Sequence, residues 1–266
     1  MTKLSAYADK QTDHSGQRAV APKVHPLSDD LRAREIHALI ADARGRNRGA
    51  LDELSGKRIL AAYGIDVPRS VRIDDVEQLA DAIGNLAPPL VVKVISSEIL
   101  HKSDVGGVCL NLNDVDSVRQ AMNSMRDKVR SHGHRIDGYL IEEMIPLAHN
   151  VVIGGVRDSN FGQVVMFGLG GVFVEVLRDV SFRICPITRT DAGEMIRELR
   201  GAPILAGARG GVAVPESILI DTLMAVGGAD GLLLALGDDL RELDINPVIV
   251  SDTRAVAVDA RFVLTE

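Results

Sequence analysis

Apolar positions in this chain alternate between helical spacing and short β-branched runs. Helical spacing predicts helices over residues 31–43, 52–63, 76–86, 115–129, 190–199 and 216–226. β-Branched or alternating apolar runs predict strands over residues 90–95, 108–110, 139–144, 151–153, 164–167, 243–250 and 255–258. Residues 172–185 are expected to continue in extended conformation. The mixture indicates an α+β fold with two lobes that meet near residues 140–150.

The first fifty residues follow a different pattern. Residues 1–28 are polar and lack a periodic apolar face, which is typical of a flexible tail or of an arm that lies on a partner. Residues 44–49 alternate arginine with glycine and asparagine and read as a basic linker. A role of this linker in binding nucleic acid or membrane is conceivable, but its shortness favours a solvated loop.

Composition narrows the class of protein. Hydrophobic residues make up 46% of the 266 positions and charged residues 25%, as in ordinary globular domains. A net charge of −7, 3% aromatic residues and no tryptophan argue against nucleic-acid binding. Cys109 and Cys185 lie in apolar runs and are expected to be buried, reduced thiols, which suits the cytoplasm. We see no signal core and no apolar stretch long enough to span a bilayer, so no membrane partner is expected.

The segment from Val91 to Val108 concentrates the chemistry of the chain. A β-branched run carries Lys93 at its centre, and a buried strand tolerates a lysine only beside an anionic partner. A polar loop with a histidine, a lysine, an aspartate and the pair Gly106-Gly107 follows. A strand that opens into a charged glycine loop is a suitable place for a cation and backbone amides around phosphate oxygens.

Three other groups of residues are candidates for a site. Gly168-Leu169-Gly170-Gly171, followed by Glu175, fits a ligand contact or a tight turn equally well. Alternation with Leu243 and Ile245 places the acids and amide of the next group on one strand face, namely Glu242, Asp244 and Asn246.

Asp259 would lie beside Asn246 if the following strand forms a hairpin, and their oxygens suit Mg²⁺; the alternative is a solvated hairpin edge. The third group is Glu142 and Glu143, at the end of an apolar strand. Because adjacent strand residues point to opposite faces, at most one of these two acids faces the interior of a cleft.

Four stretches resemble a known family: VVKVISSEILHKSDVGGV, VVMFGLGGVFVEVLRDVSFRICPITR, ELDINPVIV and AVAVDARFVL. They are similar to the ATP-grasp subunit of the NDP-forming acyl-CoA synthetases, over about residues 51–264. The resemblance implies an ATP-grasp fold with the nucleotide cleft between its two lobes. It also implies a lid lobe of about residues 69–143 and a larger lobe formed by 51–68 plus 144–266. Residues 1–50 remain as an N-terminal extension that the resemblance does not cover.

The resemblance also implies a reaction. These enzymes interconvert acyl-CoA, ADP and phosphate with acid, CoA and ATP, through an acyl phosphate and phosphorylated histidines. Carried over by position, His101 relays the phosphoryl group, and Asn246 and Asp259 bind Mg²⁺. ATP or ADP would be contacted by the positions that match the family's nucleotide site: Lys93, Ser103, Gly106, Gly107, Val108, Glu142, Glu143, Gly170, Gly171 and Glu175. Within this set, Ser103 to Val108 form the loop over the phosphates, and the two glutamates meet the adenine and ribose.

The family needs a second half that this sequence lacks. We find no strand-linked G-x-G-x-x-G motif of a CoA-binding Rossmann domain. A CoA-binding α-type subunit is therefore expected as partner in a hetero-oligomer, and CoA and a small carboxylic acid would be bound through that subunit. Two alternatives stay open: a non-catalytic nucleotide-binding regulatory subunit, and an ATP-grasp ligase that joins a carboxylate to an amine.

Overall fold

The computed structural model describes residues 29–96, 98–99 and 102–265. Its α-helices are α1 Asp29–Gly45, α2 Glu53–Ala62, α3 Leu79–Ala82, α4 Val115–Ser131, α5 Val172–Glu175, α6 Arg189–Glu198, α7 Ala202–Leu205, α8 Glu216–Gly227 and α9 Leu232–Leu236. Its strands are β1 Ser70–Ile73, β2 Leu90–Ile95, β3 Val108–Leu112, β4 Gly138–Glu143, β5 His149–Asp158, β6 Gly162–Leu169, β7 Val180–Ile184, β8 Leu240–Val250, β9 Ala255–Ala257 and β10 Ala260–Leu264. The chain divides into two compact units. Pro68–Pro146 belongs to unit 1, and the described residues before and after it belong to unit 2.

Unit 1 is an antiparallel sheet of order β1-β4-β2-β3 with α4 packed on one face. Strand alternation turns Val92 and Ile141 toward that helix, where they meet buried side chains such as Met122. A capping box starts α4, because the Asp114 carboxylate accepts from the Ser117 amide at 2.7 Å and Ser117 caps the Asp114 amide. The predicted helix over 115–129 and the predicted strand over 90–95 are confirmed.

The helix predicted over 76–86 is only partly correct. Its α-helical part is the single turn α3, flanked by 3-10 turns at Val76–Gln78 and Ile83–Asn85. Gly84 and Asn85 are poor helix formers, and the Pro88-Pro89 pair follows them, so the segment ends before a regular helix can develop.

Unit 2 is built on an antiparallel sheet of order β10-β8-β5-β6-β7, with β9 paired to β8. Its core face buries large side chains such as Phe167 and Phe262 against the helices, and Gly56 of α2 lets that helix lie on the Phe262 ring. The predicted turn between the central strands is confirmed, since the Asp158 carboxylate accepts from the Asn160 and Phe161 amides. Helix α1 contributes Ile36, Ile40 and Ala43 to the same core.

The expected extended conformation of residues 172–185 is wrong over its first part. The chain forms the short helix α5, turns at Arg178 with φ +50°, and is extended only in β7. The buried carboxylate of Asp179 fixes this turn by accepting from the Arg200 and Gly201 amides at 2.9 and 2.8 Å. These partners lie far along the chain, so local periodicity does not reveal them.

The expectation about membrane spans also needs correction. Residues Glu216–Asp239 are long and apolar enough to cross a membrane by length and composition. The structure breaks this stretch between α8 and α9, and half of its most apolar window is buried. Leu223, Leu232 and Leu236 pack in the core of unit 2. The stretch is therefore weak evidence for a span and behaves as a pair of core helices.

The two cysteines differ in environment. Both are free; Cys185 is buried, as predicted, whereas Cys109 on the edge strand β3 is half-buried. Burial raises the pKa of the Cys185 thiol to about 11. Cys185 is therefore a protonated, apolar core side chain at neutral pH.

Candidate functional site

A buried ion pair occupies the centre of the unit 1 sheet. Lys93 on β2 is 5% exposed, Glu142 on β4 is 1% exposed, and Nζ lies 2.9 Å from Oε2. Glu142 is registered opposite Val91, so the two charged side chains are diagonal neighbours on one face. The sequence-based expectation that Lys93 needs an anionic partner is confirmed, and that partner is one of the two candidate glutamates.

The neighbouring Glu143 lies on the other face of β4. Its carboxylate accepts from the Ala87 amide at 2.9 Å and lies 3.4 Å from the Arg69 guanidinium. Alternation along the strand thus separates two adjacent acids into different environments. Only Glu142 reaches Lys93, and Glu143 instead ties the segment before β2 to the end of β4.

The loop between β2 and β3 folds back onto the lysine strand. The Val94 amide donates to the Gly107 carbonyl at 2.9 Å, and Val108 is registered opposite Lys93. A Cβ on Gly107 would lie 2.6 Å from Val94 Cγ2 and 2.9 Å from the Lys102 carbonyl, so the chain has room only for glycine there. Gly106 adopts φ +71°, which also favours glycine. The glycine pair therefore has a steric origin.

Two amides of this loop are already used. Gly107 donates to the Lys102 carbonyl at 2.7 Å, and Gly106 donates to the Ser103 carbonyl at 3.2 Å. A phosphate contact of the loop would therefore involve its remaining groups, such as the half-buried Ser103 hydroxyl. His101 lies outside the described residues.

In unit 2, β8 and the turn before β10 bring the two predicted metal ligands together. The Asn246 amide donates to the Asp259 carbonyl at 3.1 Å, which confirms the predicted side-by-side placement. Asn246 is exposed, and the Asp259 carboxylate accepts from the Ala260 amide at 2.8 Å. The two residues are thus held in place by backbone bonds across the strand pair.

Asp244 is a further member of this group. Burial raises the pKa of Asp244, the nearby carboxylates of Asp259 and Glu242 raise it further, and Arg261 lowers it. The sequence analysis placed Asp244 on the same strand face but did not select it as a site residue. Its signal was the alternation along β8; its proximity to Asp259 required the fold.

The donor set suits a hard cation. Among the described residues, no group of three or more His, Cys, Asp or Glu side chains is arranged to hold a metal ion. Mg²⁺, however, commonly takes one or two protein oxygens and completes its shell with phosphate and water. A cation beside Asp259 would also reduce the repulsion among the acids around Asp244. Asn246 and Asp259 therefore fit Mg²⁺.

The glycine cluster after β6 forms a turn against β5. The Gly170 amide donates to the Asn150 carbonyl at 2.8 Å, and Gly171 has φ +64° with open space around its Cα. The Asn150 side-chain oxygen is buried and has no hydrogen-bond partner among the described residues. Glu175 ends α5, close to this turn in sequence. The turn accounts for both glycines and leaves one polar atom available.

A groove of about 210 Å³ lies beside Asp244 on the sheet face opposite the core. Its walls are largely apolar and include Met166 and Phe182, and 53% of Phe182 is exposed. The acidic residues Glu242 and Asp244 line the same groove. Unit 2 thus places apolar surface next to its oxygen ligands.

Comparisons with known proteins identify the family. An ATP-grasp domain model matches residues 42–264. The β subunit of the ADP-forming acetate–CoA ligase I of Pyrococcus furiosus is 43% identical over 235 residues, which span 88% of this chain and 98% of that protein.

Two solved structures of Ca. Korarchaeum cryptofilum dinucleotide forming acetyl-coenzyme A synthetase 1 are also similar. One, in complex with coenzyme A and Ca-AMPCP, matches with TM-score 0.81 and 35% identity, covering 86% of this chain and 99% of that chain. The other holds coenzyme A and Mg-AMPPCP, with its phosphohistidine segment pointing towards the nucleotide binding site. It matches with TM-score 0.73 and 34% identity over 86% of this chain and 100% of that chain.

These likenesses confirm the ATP-grasp fold that the sequence motifs implied. They extend from α1 into β10 and therefore include both units and every candidate residue. The chain belongs to the ATP-grasp family, in the group formed by the β subunits of ADP-forming acetate–CoA ligases.

Proposed function

We propose that this chain is the ATP-binding subunit of an ADP-forming acid–CoA ligase and transfers phosphate through a phosphohistidine relay. The observation that carries the proposal is the 43% identity over 98% of a β subunit of such a ligase. The buried Lys93–Glu142 pair and the oxygen pair of Asn246 and Asp259 supply the charges that nucleotide phosphates and their cation require.

The proposed reaction divides into three reversible transfers. Phosphate displaces CoA from acyl-CoA, which forms an acyl phosphate. A histidine nitrogen then takes the phosphoryl group, and the carboxylic acid leaves. Finally an oxygen of the ADP β-phosphate takes the phosphoryl group from the histidine, which yields ATP and free imidazole. We assign His101 to the carrier role beside the nucleotide, since neutral imidazole is a competent nucleophile with a pKa of about 6.5.

The other residues stabilise charge. The Lys93 ammonium opposes the negative charge of the phosphates, with Ser103 and the loop to Val108 closing over them. Glu143 and the turn at Gly170-Gly171, with Glu175, complete the nucleotide contacts. Asn246 and Asp259 would hold Mg²⁺, which neutralises phosphate charge when it is bound.

Turnover requires a second polypeptide in this proposal. The Pyrococcus relative is named a β subunit, and the similar solved structures contain coenzyme A. A CoA-binding α-type subunit would therefore complete a hetero-oligomer, bind CoA and select the small carboxylic acid. The setting would be the cytoplasm, where these metabolites are found.

The experiment is phosphoryl labelling. The purified chain is incubated with γ-³²P-ATP and Mg²⁺, and the label is then challenged with acid and with base. Phosphohistidine is acid-labile and base-stable, so this pattern is expected for the wild type and should vanish in His101→Ala. His132→Ala is the matched control, because His132 is an exposed histidine of unit 1 at the end of α4.

The two alternative functions predict different results. A regulatory subunit would bind Mg-ATP without any covalent label. A carboxylate–amine ligase would hydrolyse ATP when an amine and an acid are supplied, again without acid-labile label. Label that persists in His101→Ala would contradict the relay assignment.

A further inference from the structure

The contacts of Glu142 differ from those of a residue whose carboxylate is directed only at a ligand. Its Oε2 lies 2.9 Å from Lys93 Nζ, and both side chains are more than 90% buried. The residues next to Lys93 on its own strand and directly opposite it on the two adjoining strands are Val91 and Ile95 in the same face of β2, Leu140 on β4 and Val108 on β3. None of these neighbours is ionisable. Helix α4 packs on the opposite face of the sheet. Glu142 is therefore the ionisable group that faces the ammonium within this sheet.

A buried ammonium depends strongly on such a neighbour. Burial without a counter-charge can lower a lysine pKa by about 3–5 units, which would leave Lys93 largely neutral near pH 8. A carboxylate at hydrogen-bond distance favours the charged form and restricts the orientation of the flexible side chain. A neutral Lys93 would lose most of its attraction for phosphate.

We propose that Glu142 is a positioning residue for Lys93, which keeps the ammonium charged and aimed for nucleotide phosphates. This inference rests on the proposed function, in which Lys93 contacts those phosphates. It gives Glu142 a role through the lysine and separates it from Glu143, whose carboxylate serves the Ala87 amide and Arg69.

The chain contains a matched control for this arrangement. Glu53 and Lys57 form a second buried pair within α2 of unit 2, with Nζ 2.8 Å from Oε1 and both side chains at most 5% exposed. Glu53→Gln therefore removes the same buried counter-charge at a position outside the candidate site. Any effect of lost stability alone should appear in both variants.

The experiment measures the Kd of Mg-ADP by calorimetry from pH 7.5 to 9.0, a range in which the ADP phosphates stay ionised. For the wild type and Glu53→Gln, the Kd should change by less than about threefold. For Glu142→Gln, it should rise by about tenfold or more as the uncompensated ammonium loses its proton. The double variant Lys93→Arg with Glu142→Gln should return to a flat profile, because a guanidinium stays charged.

Several results would overturn the inference. A flat profile for folded Glu142→Gln would show that the ammonium does not need Glu142. If that variant does not fold, NMR of ¹³C-lysine in the wild type decides, with the Lys93 resonance assigned through Lys93→Arg: protonation up to pH 9 supports the proposal, and titration below pH 9 contradicts it. A wild type that does not bind Mg-ADP at all would instead refute the proposed function.

Discussion

Replacing Gly107 by alanine tests the steric argument for the loop beside Lys93. The new Cβ would lie 2.6 Å from Val94 Cγ2 and 2.9 Å from the Lys102 carbonyl oxygen. Val94 is fully buried, and the Lys102 carbonyl is itself the acceptor of the Gly107 amide, so neither neighbour can move without loss. The loop must therefore shift away from β2.

The expected magnitude follows from overpacking. Inserting a methyl group into a closely packed site costs about 1–3 kcal/mol. Gly84→Ala in the same unit is the control, because a Cβ at Gly84 meets nothing within 4 Å. That substitution should be neutral or stabilise the protein by up to about 1 kcal/mol through the unfolded chain.

Urea unfolding followed by circular dichroism measures the stability difference, and titration with Mg-ADP measures the functional one. Gly107→Ala should lower the free energy of unfolding and also weaken nucleotide binding, because the shifted loop breaks the bond from Val94 that holds it beside Lys93. If Gly107→Ala is as stable as Gly84→Ala, the glycine is not required by packing. The reasoning would then be refuted, and a ligand would remain as the reason for the residue.

Three further predictions follow from the site and the core. Lys93→Ala should weaken Mg-ATP binding by about 1.5–3 kcal/mol and also slow turnover in the assembled enzyme, whereas Lys57→Ala should lower stability without a specific effect on nucleotide affinity, as calorimetry and melting curves would show. His101→Ala should leave the Kd of Mg-ATP within about threefold but reduce acyl-CoA formation with the partner subunit by orders of magnitude; near-wild-type turnover would exclude the relay role. The Cys185 pKa of about 11 lies above that of an unfolded thiol, so the unfolded state releases its proton first and stability should fall between about pH 9 and 11. Cys185→Ala should lack this part of the decline in urea titrations, and an equal decline in both proteins would contradict the assignment.

Much of the fold followed from local signals. Helix α4 could be predicted because its apolar spacing and its Asp114 cap lie within one segment. The β5–β6 hairpin followed from two apolar runs separated by Asp158-Ser159-Asn160. The requirement of Lys93 for an anion was also a local inference, since burial of a β-branched run makes an isolated charge costly.

Other features depended on residues far apart in sequence. The turn between α5 and β7 is held by bonds from Asp179 to Arg200 and Gly201, so a window around residues 172–185 gave the wrong conformation. Asp244 became a member of the site through its approach to Asp259. This approach depends on the hydrogen-bonded register of β8 with β10.

The sequence by itself determined the family and the kinds of charge that the candidate site contains. It also determined that Glu142 and Glu143 point to opposite faces of one strand. Only the tertiary structure decided which of them reaches Lys93, because that choice depends on the register of β4 against β2. A shift of this register by one residue would exchange the two acids, since side chains alternate with a period of two along a strand. Register is set by packing of the whole sheet on α4, and no local pattern contains that information.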